Sequence, residues 1–277
     1  MKDLLKLYSF ESVHDTDDET AIADWICNWL DKHNVEGYQR VGNNIFKFSA
    51  DAISPVILSA HLDQVKTNGK AVKFYLQGEN IVAYNDKWER TSLGADDKNG
   101  VWIILKALEA GRDINFFISA GEEVGCVGIN RLDAEGYLED IDPIFNICLV
   151  LDRKGYQEIL KGGSTDTYCS TLAQSLCNYL GREYTVGTGS ISDTRVLCKH
   201  CESVNMATAY TNAHSSTETT NWVQLQELKE DVIDIIDNFV HYPTPPSIYC
   251  KPAYTYTKSN KQIWSKYDDE DWYKFEY

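Results

Sequence analysis

Five short segments of the chain carry side chains that can bind metal. They are Ser59-Ala60-His61-Leu62-Asp63, Leu93-Gly94-Ala95-Asp96-Asp97-Lys98, Gly121-Glu122-Glu123-Val124-Gly125, Leu149-Val150-Leu151-Asp152 and Ala213-His214-Ser215. In chain order they offer a histidine, an aspartate, a glutamate pair, an aspartate and a histidine. That is enough nitrogen and oxygen for two divalent ions, with one glutamate left over as a base. Such a set points to a hydrolase that splits an amide bond with metal-activated water.

Three of these segments follow apolar runs. Pro55 to Ala60, Ile114 to Ser119 and Ile147 to Leu151 are short and apolar, the pattern of buried strands. They end at or just before His61, the Glu122-Glu123 pair and Asp152. Ligands of open α/β sheets bind at the C-terminal ends of the strands. A single histidine after an apolar run is usually a satisfied core or loop residue; three strands agreeing on one edge argue otherwise. After Asp97, Val101, Ile104, Leu105 and Leu108 fall at helical spacing, and Gly111 is placed to end the helix. Asp97 is placed as its N-cap, so Asp96 lies in the turn feeding the helix. Capping accounts for one aspartate and leaves their order after Gly94-Ala95 unexplained.

The segments SAHLDQV, LGADDKNGV and SAGEEVGCVGI, with the late His214, resemble the co-catalytic zinc exopeptidases, the related M20, M28 and M42 metallopeptidase families. The resemblance runs from about Asp15 to Val240. The HxD and GADDK motifs are most similar to the tripeptidase branch of M20, and EEVGCVGI is as similar to M42. The resemblance implies two divalent ions, zinc first, with cobalt or manganese as alternatives. It implies that Asp96 bridges them, that His61 and Asp152 complete one site, and that Glu123 and His214 complete the other. Glu122 would be the catalytic general base. Asp63 would stay off the metals and orient His61 through its second ring nitrogen. A cis peptide between Asp96 and Asp97 is a further expectation.

The implied fold is a single-domain α/β/α sandwich with a mixed, mostly parallel central sheet. It would occupy residues 1–241, with an extension at 242–277. M20 enzymes usually carry a lid domain between the last two ligands. Too little chain lies between Asp152 and His214 for a lid of ~100 residues. That stretch reads as a helix (about Asp166 to Leu180), a strand (Glu183 to Val186) and a short helix near Asp193. Lid residues that grip a substrate carboxylate or stabilise an oxyanion are therefore not expected. Between His61 and Asp96 there is room for a hairpin, Val72 to Tyr75 and Ile81 to Tyr84, rather than for the M42 insertion. In architecture the chain is nearer the single-domain M28 aminopeptidases.

Composition agrees with one large domain: 277 residues, 43% of them hydrophobic, can bury a sizeable α/β core. There is no apolar run long enough to cross a membrane and no apolar signal segment at Met1-Lys2-Asp3-Leu4. Eight cysteines are scattered, with Cys27, Cys148, Cys169 and Cys177 in predicted helices and strands. They read as reduced thiols of a cytoplasmic protein. Cys198-Lys199-His200-Cys201 resembles half a zinc knuckle without a second half. It reads instead as the end of a short helix and the turn into a strand, Val204 to Ala207. A net charge of −16 argues against nucleic acid as a partner.

The remaining elements are legible. Thr16-Asp17-Asp18-Glu19 is a capping box, and Ile22, Trp25, Ile26, Trp29 and Leu30 form one face of the helix it opens. Tyr38 to Phe48 reads as a hairpin around Gly42-Asn43-Asn44. Thr220 or Asn221 caps a last helix with Leu225, Leu228, Val232, Ile235 and Phe239 inward. Tyr242 to Tyr277 holds four of the six prolines and does not read as a further βα unit. It would pack on the body, cover the site, or contact a second subunit in a homo-oligomer.

The function expected from these readings is an aminopeptidase-like exopeptidase acting on short peptides. The alternatives are a deacylase of N-acylated small molecules and a catalytically silent binding protein of the same fold. Arg195, beside Asp193 and Thr194, is the main objection to the aminopeptidase reading, because an arginine there could hold a carboxylate bidentately.

Overall fold

The computed structural model describes residues 1–49, 52–143, 145–163, 170–181, 183–189 and 192–242. In chain order its elements are helices α1 (Lys2–Tyr8) and α2 (Asp17–Lys32), then strands β1 (Gln39–Val41), β2 (Asn44–Lys47), β3 (Val56–His61), β4 (Lys73–Gln77), β5 (Asn80–Tyr84) and β6 (Arg90–Thr91). Helix α3 (Ala95–Glu109), strand β7 (Asn115–Ser119), helix α4 (Val127–Ala134), and strands β8 (Ile147–Arg153) and β9 (Glu158–Gly163) follow. The chain continues with α5 (Ser170–Leu180), β10 (Thr185–Gly189), α6 (Thr194–Leu197), β11 (Glu202–Ala207), β12 (Tyr210–Thr211), β13 (Thr219–Asn221) and α7 (Trp222–Asn238).

Eight strands form the central sheet in the order β1-β2-β7-β3-β8-β11-β9-β10. The run from β7 through β3 and β8 to β11 is parallel, as is β9 with β10, while β1-β2, β2-β7 and β11-β9 are antiparallel. Strands β3 and β7 are buried at every position. This explains why their sequences show apolar runs without alternation: helices cover both faces. Alternate residues still separate by face. Leu58, Phe116 and Leu149 join the larger core beneath α1, α2, α3, α5 and α7, whereas Ile57, Phe117 and Cys148 join the smaller core beneath α4 and α6. The result is the expected three-layer α/β sandwich with a mixed, largely parallel sheet.

The expected hairpin between His61 and Asp96 is present as β4 and β5, but it does not stand alone. It belongs to a second sheet, β12-β13-β5-β4, with β6 paired to β5. This sheet joins chain that is far apart in sequence. The Asp96 turn follows β6, and His214 lies in the loop between β12 and β13.

Other expectations were met less completely. The Thr16 hydroxyl accepts the Glu19 N–H at 3.4 Å, but the Glu19 carboxylate turns to the Asp15 N–H and to His14 instead of closing the capping box. The strand expected at Glu183 to Val186 runs over Thr185–Gly189. The helix expected from Asp166 is described from Ser170 onward, and Asp166 lies outside the described residues. Apart from Tyr242, so does the extension. No helix among the described residues is long and apolar enough to cross a membrane.

Candidate metal centre

The parallel strands carry three of the segments to one edge. His61 is the last residue of β3 and pairs in register with Ser119 at the end of β7. Glu122 and Glu123 follow within three or four residues of Ser119, and Asp152 is the next-to-last residue of the neighbouring strand β8. Asp96 and His214 arrive from the second sheet.

The side chains meet. His61 Nε2 lies 3.3 Å from Asp96 Oδ1 and 3.6 Å from Asp152 Oδ1. His214 Nε2 lies 3.2 Å from Asp96 Oδ2 and 2.8 Å from Glu123 Oε1. Asp96 thus presents one oxygen to each histidine, with Asp152 on one side and Glu123 on the other. Glu122 Oε2 is 3.9 Å from His61 Nε2.

This donor set fits cations. His61 Nε2 and Glu123 Oε1 are buried and make no hydrogen bond. A buried polar atom left in that state costs about 1–3 kcal/mol unless another partner meets it. The ligand atoms of His61, Asp96 and Glu123 all lie within 4.8 Å of one another. So do those of His61, Asp97 and Asp152. However, both Asp97 oxygens are already engaged: one accepts the His61 N–H at 3.2 Å, the other the Gly100 N–H at 3.1 Å. Asp97 therefore serves as the helix cap, and Asp96 is left to face the centre. Helical backbone angles begin after these two residues, and the peptide between them is cis. Gly100 is required by the close approach, since a Cβ there would lie 2.5 Å from the Leu151 carbonyl.

The electrostatics show how unbalanced the centre is. Burial opposes a charge on His61, yet Asp152, Asp63 and Asp96 outweigh it and push its pKa up. The carboxylates of Asp96 and Glu123 beside it push His214 up to about 10. Burial, reinforced by Asp193, Glu123 and Asp63, pushes the Glu122 carboxyl up to about 8. Only His61 pulls the other way among its strongest influences. Carboxylates crowded this closely await positive charge.

Asp63 does more than stand at the His61 ring. Its carboxylate accepts the N–H groups of Glu122 at 3.0 Å and Glu123 at 3.1 Å, so it fixes the turn that carries both glutamates. The His61 ring meets the Asp63 main-chain carbonyl instead, at Nδ1 and 3.0 Å, with the nearest carboxylate oxygen 3.5 Å away. Gly121 in this turn has φ +71°, and a Cβ on it would lie 2.9 Å from the His14 ring.

Several residues at the site went unrecognised in the sequence. Glu218 is fully buried and accepts the Ser92 hydroxyl at 2.6 Å and the N–H groups of Ala95 and Asp96. Asn205 brackets Asp152, accepting its N–H at 3.1 Å and donating to its carbonyl at 2.8 Å. Asp193 accepts from Ser119 and lies near Glu122, and burial pushes its own pKa up to about 6. None of these positions has a periodic or motif signal. Only the short distance from His214 to Glu218 within one polar loop could have drawn attention.

Arg195 is exposed and does not line the cavity at the centre, which has a volume of about 700 Å³. Its walls include Arg153, Lys154, Glu158 and Tyr210. In the Cys198 to Cys201 segment, His200 pairs with Asp133 of α4 at 2.7 Å, and the chain turns into β11.

No protein-family model matches this sequence, and no curated protein matches it. Solved structures do match. The aminopeptidase PepT of Bacillus cereus superposes with a TM-score of 0.68 at 17% identity, covering 85% of this chain and 96% of that one. A tripeptidase of Staphylococcus aureus gives 0.67 at 16% identity, covering 85% and 96%. The TET1 peptidase of Pyrococcus horikoshii gives 0.62 at 15% identity, covering 86% and 99%. The chain has the fold of these peptidases.

Proposed function

We propose that the protein is a two-metal exopeptidase that removes residues from the amino end of short peptides. One observation carries this reading. Asp96 stands between two histidines, Asp152 and Glu123 flank it, and Glu122 is alongside without belonging to either pair. His61, Asp96 and Asp152 would hold one ion, and Asp96, Glu123 and His214 the other. Bound there, divalent ions would polarise the scissile carbonyl and acidify the attacking water. Zinc suits the nitrogen and carboxylate donors, and cobalt and manganese are accepted by the same set.

The chain's own residues supply the rest. Glu122 takes a proton from the attacking water and returns it to the leaving amine. Asp63 keeps Glu122 aimed by holding its N–H. The acids of the cavity favour an α-amine at the inner end of the substrate. The deacylase reading is secondary, since an acyl group would offer those acids no positive charge.

Cysteines buried within regular elements, such as Cys148 in β8 and Cys177 in α5, support a reducing compartment such as the cytoplasm. Self-association is compatible with the fold, since the Pyrococcus horikoshii TET1 peptidase can assemble into a tetrahedron or a large octahedral shell. The test is cleavage of trialanine and N-acetyl-trialanine in the presence of zinc, cobalt or manganese. The free amine should be required. Cleavage of the acetylated peptide alone would favour the deacylase, and cleavage of neither would refute the hydrolase.

A further inference from the structure

The proposed chemistry uses the acids of the cavity and leaves its cations without a task. Arg153 and Lys154 directly follow Asp152 and line the same cavity. Arg153 Nε donates to Glu158 Oε2 at 2.9 Å. This contact fixes one edge of the guanidinium, and its two Nη groups make no hydrogen bond among the described residues. Lys154 is exposed and pairs with no carboxylate among the described residues.

The main chain beneath them is firmly held. The Thr208 N–H donates to the Arg153 carbonyl at 2.7 Å, the Gly155 N–H to the Tyr210 carbonyl at 2.7 Å, and the Ala209 N–H to the Gly155 carbonyl at 2.8 Å. These bonds tie both sides of Lys154 to the segment from Thr208 to Tyr210, which leads through β12 into the His214 loop. The two cations therefore stand on a fixed wall between the Asp152 and His214 sides of the centre. Glu158 orients the guanidinium without occupying its outer fork. A planar fork held at one edge, with an ammonium beside it, is suited to a carboxylate.

We propose that Arg153 and Lys154 receive the free carboxylate of a short peptide whose amino end lies at the metal centre. The substrate class is then small peptides with both ends unblocked, such as tripeptides, rather than the termini of long chains. This rests on the exopeptidase reading of the same cavity, but it assigns a second, separate subsite.

The test compares binding of trialanine and trialanine amide by calorimetry. It uses the full-length, zinc-loaded Glu122→Gln protein, which should hold a peptide without turning it over. The free acid should bind on the order of tenfold more tightly, the worth of one charge-assisted contact. In that background Lys154→Met and Arg153→Met should each shrink the ratio, and Arg153→Lys should restore part of it. Lys154 is exposed, so its replacement reports on the subsite even where Arg153→Met disturbs β9. Equal affinity for acid and amide, no binding of either, or a ratio that both Met variants leave unchanged would overturn the proposal. Cleavage by the unaltered chain is read separately. Its absence would refute the exopeptidase, while the binding ratio would still decide the carboxylate subsite.

Discussion

Glu218 holds Asp96 from behind. Its carboxylate accepts the N–H groups of Ala95 at 3.2 Å and Asp96 at 3.4 Å, in a position with no solvent exposure. Glu218 belongs to the loop that carries His214, so one buried carboxylate joins the aspartate proposed as the bridge to the last proposed ligand. Glu218→Gln puts an amide NH2 where backbone N–H groups converge. It should cost about 1–3 kcal/mol of folding stability and weaken metal binding, read by urea unfolding and by zinc titration. If neither changes, the contact has no positioning role.

The two adjacent glutamates should separate by mutation. Glu122→Gln should abolish peptide cleavage and leave the metal content intact, because its carboxylate belongs to neither ligand pair. Glu123→Gln should lower metal content, since Glu123 lies against His214. Metal analysis of the purified variants decides between them. Equal metal loss in both would mean that base and ligand are not divided this way.

Asp193 should tune the base. Glu122 must be ionised to accept a proton, and its pKa is pushed up first by burial and then by Asp193. Removing that negative charge by Asp193→Asn lowers the cost of ionising Glu122. The acidic limb of the kcat/KM profile should therefore move to lower pH, by ~0.5–1 unit. A limb that stays in place or moves upward would contradict this coupling.

Lys98 makes a stability prediction. Burial pushes its pKa down to about 7, against ~10.4 for an unfolded chain. Between those values the unfolded chain holds the proton and the folded chain does not. Stability should then rise with pH across this window, by at most about 1.4 kcal/mol per pH unit. Lys98→Met should remove that slope, although it also loses the hydrogen bond to the Phe10 carbonyl. Urea unfolding at pH 7 and pH 9 measures it, and identical slopes in both proteins would refute the assignment.

Much of this centre could be read from the sequence because strands β3, β7 and β8 are buried on both faces. Their apolar runs are conspicuous, and the residues that break them are the ones at the sheet edge. Asp97 was legible as a cap for a similar reason, since helical spacing begins directly after it. Glu218, Asn205 and Asp193 act through hydrogen bonds to residues distant in sequence, which leave no periodicity. Asp63 was legible beside the His61 ring, where it stands at Nδ1, but not as the acceptor of the Glu122 and Glu123 N–H groups. Spacing puts it beside His61 and says nothing of the Glu122 turn, which only the register of β3 with β7 brings within reach. The second sheet was hidden because β12 and β13 are too short for alternation to show.

Two bound ions are proposed to make this chain a peptidase. The direct measurement is the rate of trialanine cleavage by metal-stripped protein titrated with zinc, and in parallel with cobalt and manganese. The rate should rise to a plateau at two equivalents per chain with at least one of these metals, and a chelator should abolish it. No cleavage with any of them, or cleavage that persists in excess chelator, would contradict a two-metal peptidase.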